Sequence, residues 1–529
     1  MTRSLVLGNP LVTLEEGAPF IPNGALIVED GRVLRSGPSA ELQDQGPFDL
    51  VLGSAEHFVV PGFVNGHFHS EAALGPGLYE LLFERANIWV HPAFKPIDPQ
   101  DAYDTILVTL MQALRGGQTC AVDAFYGRPG LENFGAEVAL QAYQDLGMRA
   151  ALGMTLRDQN IYVHEENETF LARLPADLAA EVRASPMGYA LPVDDVIAAY
   201  ERVVARWDGR GGRIRVLLAP DWTPACSNEL YQRCRKVATD LGTGIMTHTL
   251  ETRQEMQFNI RRYGMTAMER LARLGVLGPD VSHSHFVWAT DRDIELLADH
   301  GGVAVNDPGS NLRLSTGICR VRDIMDASGR IAFGTDAISF SERDDMFQEV
   351  RLATHLQRLP LGLEVGRLGS EAVLRAAAGN GARAARAEDR LGSLAPGKDA
   401  DLIVLRRDRV FWPEKRWSVT PVLDVILDRC DASDIDSVMV AGEPVLHGGV
   451  ITRVNEQAVK DRFAEAVDRG LYELSGEWAR WGELSALVEP YVIDFYRDWL
   501  PEEITSRYAY NTATGPAGFA GGTARGETK

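Results

Sequence analysis

The sequence predicts an α/β protein: a (β/α)8 TIM barrel with a small composite β-sandwich domain from both chain ends and a helical C-terminal extension. Three observations carry this prediction. Eight short apolar runs alternate with longer amphipathic segments between residues 59 and 333, strand-like segments flank that region, and helical patterning returns after residue 454. Alternating strand and helix patterns of this kind are typical of parallel α/β folds.

The first 60 residues consist of short strands and turns. Residues 25–34 predict a hairpin, because the Asp30-Gly31 pair suits a tight two-residue turn between apolar strands. Strand character returns at residues 402–405 and 437–445. We therefore expect residues 1–60 and 386–454 to form one β domain, with the barrel at 61–385. We expect a helical extension at 455–511 and a disordered tail at 512–529, which has few large apolar residues.

Eight apolar runs predict the barrel strands, at residues 59–64, 119–124, 149–154, 213–219, 243–247, 281–283, 302–305 and 330–333. The intervening segments have helical spacing, as in Ile106, Leu110 and Leu114, and Gly116 with Gly117 ends that helix. A doubly wound sheet is the main alternative. It has no support as a dinucleotide fold, because no G-x-G-x-x-G motif follows a strand.

Composition narrows the class of protein. The net charge of −21 leaves no basic stripe for nucleic acid, and no run approaches the roughly 20 apolar residues that span a bilayer. Five scattered cysteines without a C-x-x-C pair indicate reduced thiols, and the N-terminus lacks a signal-peptide pattern. We expect a cytoplasmic enzyme with a small-molecule substrate, no nucleic-acid partner and no membrane association. The sequence is compatible with a homo-oligomer and does not decide the oligomeric state.

The pair His67 and His69 is the most informative motif. Residues i and i+2 of a strand point to one face, so both imidazoles can bind one metal ion. Further metal-type residues follow the predicted strands five, six and eight, namely His248, His285 and Asp336. A barrel enzyme gathers its site at these strand ends.

Each residue also has a structural interpretation. An isolated histidine at a strand end is often only a hydrogen-bonded polar residue, and Asp336 suits a helix N-cap. His283 shares a face with His285, which we prefer because of its loop distance to the next helix. Glu251, three residues after His248, suits a general acid/base beside a metal, or a first-turn glutamate stabilised by the helix dipole.

The chain resembles the amidohydrolase superfamily, in its branch of cyclic-amidine and nucleobase-type deaminases and triazine hydrolases. The segments that resemble the family motifs are Pro61–His69, His248-x-x-Glu251, Asn306–Leu314, Phe333–Asp336 and Leu391–Leu402. They run in the family order from about residue 20 to 450.

The resemblance implies one divalent metal ion, Zn²⁺ with Fe²⁺ or Mn²⁺ as alternatives, held by His67, His69, His248 and Asp336. It also implies that Glu251 is the proton shuttle, that His285 polarises the substrate and that Asp336 accepts a hydrogen bond from the attacking water. Asn311 of the Asn306–Leu314 motif becomes a candidate substrate contact. The fourth predicted strand lacks the lysine that bridges two metals in other branches, which favours one metal.

The chain departs from the resemblance after the fourth strand. The ring deaminases often carry a histidine where this chain has Asp221, followed by Trp222. Asp221 favours a substrate with positive charge or N–H donors, or it only caps the next turn, and Trp222 can stack on a planar ring. Trp89, in the loop after strand one, is a further candidate substrate contact.

These residues predict a metal-dependent hydrolase that acts on a C–N bond of a small heterocyclic molecule. Hydrolytic deamination by a metal-bound hydroxide is the leading hypothesis. Amide, urea or carbamate hydrolysis, or dechlorination, in the same site is the alternative. A non-catalytic scaffold is a remote third, because such a relative is expected to lose metal ligands.

Overall fold

The computed structural model describes residues 2–71, 98–126, 135–185, 192–341, 343–358, 368–411, 421–471 and 477–497. Trp89 and the predicted disordered tail lie outside these residues.

The N-terminal strands are β1 (Arg3–Gly8), β2 (Leu11–Glu15), β3 (Ala18–Ile21), β4 (Gly24–Glu29), β5 (Arg32–Pro38), β6 (Leu50–Gly53) and β7 (His57–Pro61), with helix α1 at Ser39–Leu42. Strands β4 and β5 pair antiparallel, as predicted. Asp30 and Gly31 at their turn have φ values of 47° and 83°, a left-handed backbone that suits this dipeptide.

Eight strands follow in chain order and form one sheet: β8 (Phe63–Phe68), β9 (Gln118–Phe125), β10 (Arg149–Leu156), β11 (Ile214–Pro220), β12 (Ile245–Thr249), β13 (Val281–His285), β14 (Val303–Asn306) and β15 (Arg330–Phe333). Each strand pairs in parallel with its sequence neighbour. The backbone N–H of Asp336 donates to the carbonyl oxygen of His67 at 3.0 Å and joins the last strand region to the first. The predicted (β/α)8 barrel is confirmed. The prediction of its first strand at residues 59–64 is wrong, because residues 57–61 form β7 of another sheet and the first barrel strand is β8.

Helices connect the strands of this barrel. They are α2 (Pro99–Arg115), α3 (Glu137–Leu146), α4 (Asn167–Leu171), α5 (Ala176–Ala184), α6 (Val193–Trp207), α7 (Asn228–Leu241), α8 (Arg253–Tyr263), α9 (Ala267–Arg273), α10 (Asp291–His300), α11 (Pro308–Arg313), α12 (Val321–Asp326), α13 (Ile338–Ser341), α14 (Met346–Leu356), α15 (Ser370–Arg375) and α16 (Gly381–Ala384). Helix α2 buries Ile106, Leu110 and Leu114 and ends at Gly116, as its periodicity predicts.

The chain then returns to the β domain through β16 (Leu402–Arg406), helices α17 (Arg407–Val410) and α18 (Val422–Arg429), β17 (Ile435–Val440), β18 (Glu443–His447) and β19 (Val450–Ile451). A seven-stranded sheet in the order β19-β18-β17-β16-β7-β2-β3 joins strands from both chain ends, and a four-stranded sheet has the order β5-β4-β1-β6. The two sheets agree with the predicted composite β domain, whose boundaries stay predictions.

Two helices end the described chain, α19 (Glu456–Asp468) and α20 (Glu477–Arg497). They agree with the predicted helical extension. All five cysteines are buried and free, as expected for reduced thiols. Within the described ranges, none of the helices is long and apolar enough to cross a bilayer.

Candidate active site

The carboxyl ends of the barrel strands bring five of the predicted residues together. His67 lies in β8 with His69 directly after it, His248 lies in β12, His285 ends β13, and Asp336 follows β15 by three residues. The ring centroids of His67 and His248 are 4.8 Å apart, and those of His67 and His285 are 5.0 Å apart. All five side chains are buried.

Three of the histidines are spaced for a shared metal ion. One ring nitrogen each of His67, His69 and His248 lie within 4.8 Å of one another. Oδ1 of Asp336 lies 3.3 Å from Nε2 of His69 and 3.7 Å from Nε2 of His67. Tetrahedral Zn²⁺ with bonds of about 2.1 Å separates its ligand atoms by roughly 3.4 Å, so the spacing of these groups suits that ion.

Backbone carbonyls fix which nitrogen of His69 and His248 faces this space. Nδ1 of His69 donates to the carbonyl oxygen of Ala124 at 2.7 Å, and Nδ1 of His248 donates to that of Asp221 at 2.9 Å. Because a carbonyl oxygen only accepts hydrogen bonds, each ring carries its proton on Nδ1. The lone pair on Nε2 then faces the space between the histidines. Such second-shell hydrogen bonds orient metal-binding histidines in general.

His67 provides the sharpest test of whether a metal ion fits here. Both of its ring nitrogens are buried, and neither has a hydrogen-bond partner among the residues that the structure describes. Burial lowers the pKa of His67 well below 6.5, and the neighbouring His69, His248 and His285 lower it further. A neutral, buried imidazole without a partner is costly unless it binds a metal, so the donor set fits a divalent cation.

Asp336 is held in place by the backbone around it. Its φ of 58° is unusual for a residue with a side chain, and Ser310 donates to its Oδ2 at 2.5 Å. Burial raises the pKa of Asp336, but His69, His285 and the Ser310 hydroxyl more than offset this, and the pKa is lowered overall. The preceding Gly334 is required by close approach, since a Cβ there would lie 2.8 Å from the His67 backbone. Asp336 is therefore a fixed carboxylate.

Glu251 and His285 form a second pair beside the histidine cluster. Oε1 of Glu251 lies 3.5 Å from Nε2 of His285. Nδ1 of His285 donates to Oδ1 of Asn311 at 3.0 Å, so the lone pair on Nε2 faces Glu251. Burial, as the main cause, lowers the pKa of His285 to about 3. The imidazole of His285 is therefore neutral near pH 7.

Two carboxyl groups that the sequence analysis did not single out support this pair. Oδ2 of Asp307 accepts from the backbone N–H of His285 at 3.3 Å, and burial raises the pKa of Asp307 well above its usual value. Glu255 accepts from the backbone N–H groups of Leu250 and Glu251 at 2.9 and 2.8 Å. The sequence signal for Asp307 was its place in the Asn306–Leu314 motif, whereas Glu255 looks like an ordinary first-turn glutamate.

The candidate substrate contacts Asp221 and Trp222 are both buried and packed against other side chains. Asp221 is buried, Tyr126 donates to its Oδ1 at 2.7 Å, and Arg157 lies 3.9 Å from its Oδ2. Trp222 is 3% exposed and packs against the His164 ring at 4.7 Å. The sequence analysis did not identify Tyr126, for which no spacing signal exists. Trp89 lies outside the described residues.

His283 is placed apart from these residues. It is buried, and its Nδ1 lies 3.2 Å from the hydroxyl of Thr249. Its ring centroid lies 6.2 Å from that of Phe286, whereas His285 contacts both His67 and His248. Of the two histidines in β13, the structure brings His285 to the cluster, which agrees with the choice made from the sequence.

A parallel eight-stranded barrel with imidazoles and carboxyl groups at its strand ends belongs to the class of α/β-barrel enzymes. Residues 58–445 match the amidohydrolase family. The match covers more than half of the chain, and the protein is a member of that family.

Named relatives agree with this assignment. The chain is 25% identical over 477 residues to a 5′-deoxyadenosine deaminase of Methanopyrus kandleri, a match that covers 88% of this chain and 99% of the relative. It is 29% identical over 429 residues to an 8-oxoguanine deaminase of Pseudomonas aeruginosa, covering 79% and 88%.

Solved structures share the fold. A zinc-bound adenosine deaminase of Xanthomonas campestris has a TM-score of 0.73 and 24% identity, covering 88% of this chain and 98% of that one. An atrazine chlorohydrolase of Arthrobacter aurescens TC1 in complex with zinc has a TM-score of 0.73 and 19% identity, covering 88% and 100%. The predicted superfamily branch is confirmed, as is the class of a hydrolase that acts on C–N bonds of a small molecule.

Proposed function

We propose that this protein hydrolytically deaminates a small aminated heterocycle. The observation that carries the proposal is the convergence of four candidate metal ligands with the Glu251–His285 pair, whose atoms are 3.5 Å apart. The deaminase names of the relatives support it. In this reaction a C–O bond forms from water, the exocyclic C–N bond breaks, and ammonia leaves.

The residues that would hold the cation are His67, His69, His248 and Asp336. Three imidazoles and one carboxylate suit Zn²⁺, with Fe²⁺ or Mn²⁺ as alternatives, and β11 offers no lysine for a second ion. A bound divalent cation supplies a water of lowered pKa, about 7 for Zn²⁺, as the attacking group.

Glu251 would carry the protons of the reaction. It would take one from the attacking water and give one to the ring nitrogen or the leaving amine. His285, with its lone pair toward Glu251, would receive a hydrogen bond from the protonated glutamate and hold that proton near the substrate. The predicted polarisation of the substrate by His285 would require a proton on Nε2, because Nδ1–H already donates to Asn311. The fixed carboxylate of Asp336 would accept a hydrogen bond from the water.

Metal analysis is the first test of the candidate centre. We expect the purified protein to hold one divalent ion per chain, and His69→Ala to lower its metal affinity by roughly 10-fold or more. Glu295→Ala, at an exposed position of α10, serves as the control. Full occupancy in His69→Ala would remove His69 from the ligand set.

A substrate screen tests the reaction itself. The metal-loaded protein is incubated with aminated purines, pyrimidines and triazines, and with simple amides, ureas, carbamates and chlorinated triazines. Ammonia, larger amines and chloride are measured separately. Ammonia release with one equivalent of carbonyl product is the expected result. Release of a larger amine alone would replace deamination with amide, urea or carbamate hydrolysis, and chloride release alone would replace it with dechlorination.

A further inference from the structure

Helix α20 lies at the catalytic end of the barrel. Six of its side chains are buried in one apolar cluster, Trp481, Leu484, Val488, Val492, Phe495 and Tyr496. The helix begins at residue 477, beyond residue 445 where the family match ends. The helix is thus an addition of this chain to the region that defines the family.

The segment between β10 and α6 connects this helix to the barrel. The backbone N–H of His164 in this segment donates to the hydroxyl of Tyr496 at 3.1 Å, and their rings are 5.3 Å apart. The rings of Phe170 and Phe495 meet edge to face at 6.1 Å. A hydrogen bond and two aromatic contacts therefore fix helix α20 onto this segment.

The same segment is fixed to the site on its other side. The ring of His164 lies 4.7 Å from that of Trp222, and Nδ2 of Asn160 donates to the carbonyl oxygen of Pro224 at 2.7 Å. Trp222 follows Asp221, whose carbonyl oxygen orients His248. Two side chains, His164 and Trp222, thus connect Tyr496 to the backbone that positions a candidate metal ligand.

The apolar cluster also includes residues from the opposite side of the barrel. Trp222 follows β11, the fourth barrel strand, whereas Ala337 and Phe340 follow β15, the eighth. Ala337 is the direct neighbour of Asp336. Strands four and eight of an eight-stranded ring face each other across its axis. Phe258 after β12 and Leu314 after β14 belong to the same cluster, so it extends over the loops of four strand ends at the mouth of the barrel.

We propose that α20, together with residues 157–185, forms a fixed cover over the barrel mouth that restricts substrates to compact heterocycles without a ribose. The proposal rests on the proposed function and specifies its substrate class. Ribose hydroxyls placed against the apolar side chains of this cluster would lose hydrogen bonds to water and gain no partner from them. Apolar ring substituents carry no such penalty.

Paired substrates test the cover. The metal-loaded enzyme is assayed with adenine, guanine, 8-oxoguanine and cytosine, and with the nucleoside of each. We expect kcat/KM of the best free base to exceed that of its nucleoside by about 100-fold or more. Equal kcat/KM values for base and nucleoside would overturn the proposal.

Three variants of α20 connect this preference to the helix. Val488→Ala and Phe495→Ala each shorten a buried side chain of α20. Tyr496→Phe removes only the hydroxyl that accepts from the backbone N–H of His164. Leu487→Ala, at a residue that is 52% exposed on the same helix, is the matched control. In Val488→Ala and Phe495→Ala, provided that they fold, we expect the ratio of kcat/KM for the nucleoside to kcat/KM for the base to rise about 10-fold. In Leu487→Ala we expect no change in this ratio. An unchanged ratio in all three variants would exclude the cover as the source of specificity.

A measurement without substrate separates the two proposals. The rate at which dipicolinic acid removes the bound metal reports access to the site. We expect Val488→Ala or Tyr496→Phe to raise this rate about 10-fold relative to Leu487→Ala, because the cover loosens. If the rate rises while no base or nucleoside is deaminated, the cover stands as a barrier and the proposed function fails. An unchanged rate overturns the cover whatever the substrate.

Discussion

At the scale of single residues, hydrogen-bond partners distinguish side chains that otherwise look alike. His69 and His248 each donate from Nδ1 to a backbone carbonyl and present Nε2, whereas His283 is buried beside a threonine hydroxyl. His285 donates to an amide oxygen and faces Glu251 with its lone pair. The imidazole is the same in each case, and the partner of its other nitrogen determines what it can bind.

Glu251→Gln should retain the metal ion and lose the proton shuttle. We expect kcat to fall by about 10²–10⁴-fold, the usual contribution of general acid/base catalysis. Steady-state kinetics on the substrate identified by the screen, with metal content measured in parallel, checks this. Glu295→Gln removes the same charge from an exposed helix position and should be fully active. Wild-type turnover in Glu251→Gln would assign the proton to another group.

The burial of His283 predicts that the free energy of unfolding decreases at acidic pH. Burial lowers its pKa to about 3, so the folded chain leaves it neutral while the unfolded chain protonates it below about 6.5. Stability from this group is therefore present above pH 6.5 and is lost as the pH falls toward 3. From pH 7.5 to 5.0 the loss is about 2 kcal/mol.

Urea unfolding of wild type and His283→Gln at pH 7.5 and 5.0 measures this effect. The pH-dependent loss of stability in the glutamine variant should be smaller than that of wild type by about 2 kcal/mol, because glutamine does not titrate. Identical losses in the two proteins would show that His283 does not titrate between the folded and unfolded states.

At the scale of elements, the loops after the strands decide where catalytic atoms lie. Leu250 has a φ of 58°, and Glu255 at the start of α8 accepts from the N–H groups of Leu250 and Glu251. The hydroxyl of Thr223, after β11, donates to the same carboxylate at 2.7 Å. One helix start thus holds the turn that carries Glu251 and joins it to the loop of the preceding strand.

Glu255→Gln should impair catalysis without touching the substrate. The amide can accept from only one of the two N–H groups, so the turn that carries Glu251 shifts, and kcat should fall on the order of 10–100-fold. Metal content and KM should change little. The control is Thr290→Ala at the N-cap of α10, which should cost about 1 kcal/mol of stability and leave kcat unchanged.

At the scale of the whole molecule, a buried group of charged side chains joins the barrel to the β domain. Arg149 in β10 donates to Asp399 and Asp401, just before β16, at 2.7 Å each. All three side chains are at most 5% exposed. Because a buried ion pair is costly to break from one side, this junction fixes the β domain against the amino ends of the barrel strands.

Arg149→Ala should destabilise the protein by about 3–5 kcal/mol, because it leaves the buried carboxylate of Asp401 without its cation, while Asp399 keeps the ion pair with Arg390. Chemical denaturation followed by circular dichroism measures the change. Arg183→Ala, which removes an exposed partner of Glu168, should leave stability unchanged within error. If Arg149→Ala lowered the free energy of unfolding as little as Arg183→Ala does, water would reach the buried ion pairs of this junction.

The sequence alone determined the barrel, the return to a β domain and most of the candidate site. Strand and helix periodicity depends on local burial, and strand ends of a barrel necessarily meet, so His67, His248 and Asp336 could be placed together from spacing alone. Glu251 and His285 were likewise found by their positions after predicted strands five and six, and the family resemblance implied their roles. These inferences needed no knowledge of loop conformation.

Only the tertiary structure decided the contacts between segments distant in sequence. Glu255 looked like an ordinary helix-start glutamate until the turn at Leu250 folded onto it. Tyr126 reached Asp221 from 95 residues away, and Tyr496 reached His164 from 332. Such contacts depend on loop paths and helix docking, which leave no periodic signal in the sequence. The reaction class therefore followed from the strand ends, and the cover that would restrict the substrate emerged from packing.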